Sequence, residues 1–433
     1  MKRSRAAALA MAAALQPGRA AADPPATAGS AGPATPGVTI DLSVDYAYSA
    51  RRSTLKRELA GLPGAALDGP TPLVKDLVFR GSRHEVRPRA ELGVPYGLSF
   101  TLALPIVLRD VRRLDFDQRA DGCVFASDPG RATCVDATNS TTVADGLLPS
   151  DGLDVDGGGA TGGDTVFRGA TRAGLDQLHA GAAWKVTDQA RDPSKPTWTV
   201  GAELRLSIGD VMAIDAARPA GDDGVSRGVH ELRAATALER RLGRPGMTPR
   251  FEAWWLAPIA TRDGAPLDPP DGAGDLQRSQ HRGGVDGGVE VVPWERADTG
   301  QRVAVAVTAG VAAHFAGRAY SDLWEVFALA GGEGGPLVLD ADPGQQGMQP
   351  LPHPGVTTTQ EFLSAGGRVA FDVRPTGWLQ LDLAADLAWE QTHLVSFARG
   401  GPLFAPVIDQ VGHRYRVDEG LTYALSGGVR IVY

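Results

Sequence analysis

Arg83, Arg87 and Arg89 fall two or four residues apart, with Glu85 and Glu91 in the same alternating set. In an extended chain alternate side chains share a face, so these five form one charged stripe. Asp41 and Asp45 form a similar set just upstream, and Glu203 with Arg205 and Asp382 with Asp386 repeat it further on. Fixed charges of both signs around a narrow, water-filled passage set a transverse field that filters solutes. The same charges, paired off, make a rigid polar interior that conducts nothing. The residues alone leave both readings open.

Other chemistry is sparsely signalled. There is no G-x-S-x-G, H-E-x-x-H or P-loop pattern. The eight histidines are scattered; His179 or His314 beside a hydroxyl is the residual route to a hydrolase. Cys123 and Cys134 are the only cysteines. In an exported chain a lone close pair reads as a disulfide, which stabilises a loop of that size by roughly 3 kcal/mol. Asp151, Asp154, Asp156 and Asp164 lie among glycines and form a weak calcium candidate that lacks the full twelve-residue loop pattern and its closing Glu. The run Gly157–Gly162 matches GxGxxG but has no strand–helix context, so it is set aside as a nucleotide site. No cofactor is expected.

The charged stripes need strands to hold them. Val38, Ile40, Leu42, Val44, Tyr46 and Tyr48 alternate with Thr39, Asp41, Ser43, Asp45 and Ala47. The same pattern predicts strands over 83–94, 98–109, 174–187, 197–208, 228–241, 248–261, 281–294, 301–315, 360–373, 378–391 and 421–433. That makes twelve, with one face apolar and the other polar in nearly all. Connections after the first, third and every later odd strand are long, and those after the even strands are short. The longest, 110–172, holds both cysteines and is the candidate constriction. The segment 321–329 within the 316–357 loop reads as a short helix.

The last strand is the most telling. Tyr433, Ile431, Val429, Leu425, Tyr423 and Leu421 share one face, interrupted only by Gly427. An amphipathic strand ending on an aromatic residue resembles the closing strand of a Gram-negative outer-membrane β-barrel. The resemblance spans residues 37–433 in architecture; only the terminal strand is a specific motif. It implies an all-β, membrane-spanning, antiparallel up-and-down barrel of about twelve strands, with short periplasmic turns and long extracellular loops. It also implies that Tyr433, Ile431 and Val429 serve as the signal read by the barrel-assembly machinery. Outer-membrane lipid and small solutes are the implied partners. Aromatic residues near strand ends (Tyr46, Tyr48, Trp184, Trp198, Phe315, Trp389, Tyr433) suit interfacial girdles.

Bulk properties agree. Of 433 residues 43% are apolar, and beyond the first 20 or so no apolar run reaches the roughly 18–20 residues of a membrane helix. Lys2, Arg3 and Arg5, then Ala6 to Leu15, then Ala20-Ala21-Ala22 read as a signal peptide cleaved near Ala22. Its removal takes four bases from a formal charge of -8, leaving about -12. Such an acidic chain without a basic patch is not expected to bind nucleic acid. Residues 23–36 form a Pro/Ala-rich flexible leader, too short to plug a barrel. The expected activity is passive passage of small polar solutes or ions. The alternatives are an outer-membrane enzyme acting on lipid or peptide, and a non-conducting barrel whose loops bind a ligand.

Overall fold

The computed structural model describes residues 38–58, 72–144, 148–155, 166–212, 224–243, 246–263, 265, 267, 279–320, 356–395 and 414–433. The expected signal peptide, the leader, the 321–329 helix, Asp156, Asp164 and the 157–162 glycine run lie outside the described residues.

Twelve strands build the wall. They are β1 (Thr39–Glu58), β2 (Leu73–Val94), β3 (Leu98–Ala103 continued by Ile106–Phe116), β4 (Arg172–Leu175 continued by Gln177–Thr187), β5 (Thr197–Ser207) and β6 (Val229–Glu239). Then follow β7 (Gly246–Thr261), β8 (Arg282–Arg296), β9 (Gln301–His314), β10 (Phe362–Thr376), β11 (Leu379–Glu390) and β12 (Tyr415–Val432). Each strand pairs antiparallel with the next, and β12 pairs with both β11 and β1, so the sheet closes. The seam ends on the last residue: the Ile40 amide donates to the Tyr433 carbonyl at 3.1 Å and the Tyr433 amide to the Ile40 carbonyl at 2.9 Å. Closure satisfies backbone groups that lipid cannot. The expected alternation of long and short connections holds around the ring.

The alternation sets the two faces. Ile40, Leu42 and Val44 on β1, Phe251, Trp255 and Ile259 on β7, and Leu421, Leu425 and Val429 on β12 are exposed outward. Water-facing surfaces rarely carry so continuous an apolar band; lipid is its natural solvent. Trp184, Trp198, Trp294, Trp378 and Tyr433 are exposed near the turn end, and Tyr46, Tyr423, Trp389 and Phe315 near the loop end. Tyr423 to Tyr433 is ten residues along β12; with strand tilt that separates the belts by about 25 Å, the height of a barrel's apolar band. On β8, glycines make room for indoles: a Cβ at Gly284 would lie 2.8 Å from the Trp254 ring.

The structure departs from expectation in β1 to β3. Residues 49–58, 73–82 and 110–116, expected as loop, continue these strands beyond the lipid band. There the pattern inverts. Arg52, Arg80 and Arg109 are exposed outward, whereas Leu55, Leu77, Phe79, Leu114 and Phe116 face inward, and with Tyr415 and Val417 of β12 form a buried cluster. Loop residues Val135, Leu148, Phe167 and Val395 complete it. Strand β3, expected continuous, breaks at Leu104-Pro105, where proline has no amide for the ladder.

The loop after β3 is latched by a buried carboxylate. Asp76 is fully buried. It accepts hydrogen bonds from the Ser140 hydroxyl at 2.6 Å, the Thr141 hydroxyl at 2.5 Å, and the Thr142 amide and hydroxyl at 2.9 and 2.6 Å. These residues open the short helix α1 (Thr141–Ala144). Nearby, Arg119 donates to Asp117 at 2.8 and 2.9 Å. Burial raises the Asp117 carboxyl, but the bonds and charge of Arg119 prevail and hold it below the ordinary carboxylate range.

Cys123 and Cys134 are joined, with Cα atoms 5.1 Å apart. Reduction, or Cys123→Ser with Cys134→Ser, is expected to loosen this loop by about 3 kcal/mol without opening the barrel. Trypsin cleavage at Arg131 should accelerate while the heat-shifted gel mobility of the folded barrel stays. Unchanged cleavage would mean that the Asp76 latch alone holds the loop.

Candidate functional site: the charged lumen

Every charged residue singled out from the sequence (Asp41, Asp45, Arg83, Glu85, Arg87, Arg89, Glu91, Glu203, Arg205, Asp382 and Asp386) belongs to the set that alternates with the outward apolar residues, and so faces the lumen. Same-face neighbours in a strand lie about 7 Å apart, the span of an arginine and a carboxylate side chain. The lumen uses that spacing repeatedly. Arg83 and Arg87 both bind Glu85, at 2.9 and 2.7 Å; Arg89 binds Glu91 at 2.9 Å; Arg205 binds Glu203 at 2.7 Å. Arg112 binds Asp110 at 2.7 Å and Arg250 binds Glu252 at 2.9 Å. Arg83, Arg87 and Arg89 therefore each have a partner on their own strand, and Arg83 also reaches Asp176 at 3.0 Å. The expected partners on β1 take no part in these bonds: Asp45 lies in register with Arg87, and Asp41 with Glu91.

Three layers follow along the axis. At the turn end Gln380 donates to Asp382 at 2.9 Å and Arg374 donates to Gln380 at 3.1 Å; Arg302 pairs with Glu290. In the middle, Arg233 pairs with Glu252, Arg368 with Asp386 at 3.2 Å, and the Trp254 indole donates to Asp286 at 2.8 Å. Small cavities lie there. One of about 90 Å³ is bordered by Arg87, Arg89, Glu203 and Arg233, and one of about 30 Å³ by Arg250, Asp286, Arg368 and Asp386.

At the loop end the lumen opens into a chamber of about 370 Å³ to which all twelve strands contribute. Among the described residues its wall holds eight arginines (Arg51, Arg83, Arg112, Arg205, Arg227, Arg233, Arg282 and Arg318) and four carboxylates, Asp110, Asp176, Glu231 and Glu390. Adding the carboxylates just behind the wall, Glu85, Glu203 and Glu252, also brings in Arg87 and Arg250, which share them. That makes ten against seven, so the excess is positive in a chain whose net charge is -8. Pairs from Arg51 to Glu390 at 2.8 Å, Arg282 to Glu231 at 3.1 Å and Arg83 to Asp176 at 3.0 Å reach past an intervening strand.

One side of the chamber is a stack of three rings, His314, Phe362 and His393, with centroids 4.2 and 3.8 Å apart. His314 Nε2 lies 2.9 Å from the Ser364 hydroxyl, the serine–histidine proximity a hydrolase would need. Ser364, however, is fully buried and donates to the Ala312 carbonyl at 3.3 Å. Glu390 is held by Arg51. A substrate carbonyl has no path to that hydroxyl. His179 lies 3.7 Å from Glu203. Among the described residues no group of three or more His, Cys, Asp or Glu could hold a metal; Asp154 instead lies in register with Arg168 of a neighbouring segment.

The sequence reading missed Arg51, Asp110, Arg112 and Asp176, which it assigned to loops or left unassigned, and Arg227, Arg318 and His393, which loop segments contribute. Arg51 continues the inward alternation of β1, and extending that count would have found it. Asp110 and Arg112 lie beyond an irregularity between Val107 and Asp110 that shifts the alternation of β3 by one residue, so the count places them outward.

The fold and lumen together define a closed, twelve-stranded antiparallel barrel with the architecture of Gram-negative outer-membrane β-barrels. No family model matches the chain, and no curated protein matches it in sequence. Among solved structures it is similar to an outer-membrane channel from Pseudomonas putida F1, with 9% identity and a TM-score of 0.38 over 90% of this chain and 95% of that one. It is also similar to a FadL homologue from Pseudomonas aeruginosa, with 12% identity and a TM-score of 0.31 over 91% and 90%. A third is the outer-membrane protease OmpT from Escherichia coli, with 8% identity and a TM-score of 0.28 over 92% and 98%. At such identities and scores the functional reading rests on this chain's own residues.

Proposed function

We propose that the protein is a passive channel of the outer membrane for small polar solutes and ions, with a preference for anions. The observation that carries this is the chamber: a cavity on the barrel axis, built by every strand and lined by a net excess of guanidinium groups. Fixed positive charge between low-dielectric walls concentrates anions. The paired arginines and carboxylates of the middle layer narrow the path, so only small solutes pass. Cleavage near Ala22 and recognition of Tyr433, Ile431 and Val429 by the assembly machinery would deliver and insert the barrel.

The refolded protein in a planar bilayer is expected to give small, steady current steps, with a reversal potential under a salt gradient that favours chloride over potassium. A barrel shown to be folded by heat-shifted mobility that never conducts would sink the reading. Among the described residues the hydrolase alternative would draw on the Ser364–His314 contact, and Ser364 is buried there.

A further inference from the structure

We infer that the outer wall of the barrel carries a binding site for the phosphates of an anionic membrane lipid, built on a cross-strand row of arginines. Strand register sets Arg52 opposite Arg80, Arg80 opposite Arg113, and Arg113 opposite Arg168. All four point away from the lumen, since Leu77, Phe79, Leu114 and Phe167, which alternate with them, are buried on the inner side. The Arg80 and Arg113 side chains are 46% and 40% exposed. Arg109 adds a fifth guanidinium, opposite His84.

Like charges directly opposite on neighbouring strands destabilise a sheet, and here four stand in one row. Two carboxylates lie on that face beside them: Asp115, 3.2 Å from Arg80 and 3.4 Å from Arg113, and Asp154, in register with Arg168. Arg52 has no ion-pair partner among the described residues. The row is therefore a stretch of wall whose repulsion a bound polyanion would relieve.

Its height selects the anion. His84 Nδ1 lies 2.6 Å from the Tyr46 hydroxyl, so Arg109, opposite His84, sits in the aromatic belt at the loop end. Arg52 lies four residues beyond Tyr48 on β1, about 10 Å further out. Lipid headgroups begin at the edge of the hydrocarbon and extend about 5–7 Å beyond it, within reach of arginine side chains that lean toward it. Beneath the row Val44, Tyr46 and Leu108 are exposed and offer apolar wall for acyl chains. Guanidinium forks match phosphate oxygens. The occupant is a lipid with two or more phosphates, its chains along the band and its headgroup across the row.

The test compares thermal unfolding of the full-length refolded barrel in phosphatidylcholine nanodiscs with and without lipid A, the bisphosphorylated glycolipid of Gram-negative outer leaflets. The wild type is expected to gain about 5 °C with lipid A. The Arg52→Gln/Arg80→Gln/Arg113→Gln variant is expected to fold in neutral discs, keeping its heat-shifted mobility, and to gain nothing from lipid A. If the triple variant does not fold, Arg80→Gln alone carries the comparison with about half the wild-type gain. A wild type indifferent to lipid A, or a variant that gains as much, overturns the site. An equal gain from soluble inorganic phosphate overturns its assignment to lipid.

Discussion

Replacing Glu252 by Ala is expected to lower the stability of the folded barrel by about 3–5 kcal/mol, the usual cost of stranding buried charge. Glu252 is among the most buried acids of the lumen, and each of its oxygens holds a guanidinium: Arg233 on one, Arg250 on the other. Removing the carboxylate leaves the buried Arg233 of β6 and the half-buried Arg250 of β7 without their shared anion. The urea midpoint of the barrel in lipid vesicles, followed by heat-shifted gel mobility, measures the loss. Arg233→Gln combined with Glu252→Gln should recover part of it, because the pair then goes together. A loss below about 1 kcal/mol would mean that this layer is wet enough to solvate its charges, as exposed pairs are, and that the middle of the barrel is wider than its ion pairs imply.

The second large effect is expected from Asp76→Ala. Four hydrogen bonds converge on this carboxylate, three of them from side chains of the loop that covers the chamber's edge. Bonds to a buried charge contribute about 1.5–3 kcal/mol each in favourable cases. They are not additive here, and a loss of about 3–4 kcal/mol is expected for the loop as a unit. The membrane-spanning wall does not depend on them. Trypsin should therefore cut at Arg119 and Arg131 many times faster while the heat-shifted band persists. An unchanged cutting rate would show that the apolar cluster around Leu114, Phe116, Val135 and Phe167 holds the loop unaided.

These two residues mark the boundary of what sequence reveals. Glu252 was legible as an inward acid because, between lipid and water, each strand position has one kind of solvent. Alternation then reports face directly, from Ile40 and Asp41 on β1 to Tyr423 and Thr422 on β12. Asp76 was not legible. Beyond the lipid band the outer face meets water and the inner face meets a loop, so Arg52 and Leu55 exchange the roles that Leu42 and Asp41 hold lower down. The same inversion hid the upper halves of β1 to β3 inside apparent loops. Pro105, inside the strand expected over 98–109, interrupts its ladder. The arginine row escaped for another reason: Arg52, Arg80, Arg113 and Arg168 are far apart in sequence and meet only through register, which alternation within one strand does not specify. The chamber's loop-borne residues, Arg227, Arg318 and His393, carry no periodic signal at all.

The central claim is that solutes cross the membrane through the arginine-rich chamber. Thr422 borders it from β12, and the native cysteines are joined to each other, so Thr422→Cys places a single reactive thiol on the path. Current through this variant in a planar bilayer, recorded while a bulky cationic methanethiosulfonate reagent is added, is the most direct measurement. The expected result is a stepwise, irreversible fall in conductance, reversed by a reducing agent and absent in the wild type. Conductance that persists unchanged after mass spectrometry confirms full labelling would contradict the account, because ions would then be crossing by a route that bypasses the chamber.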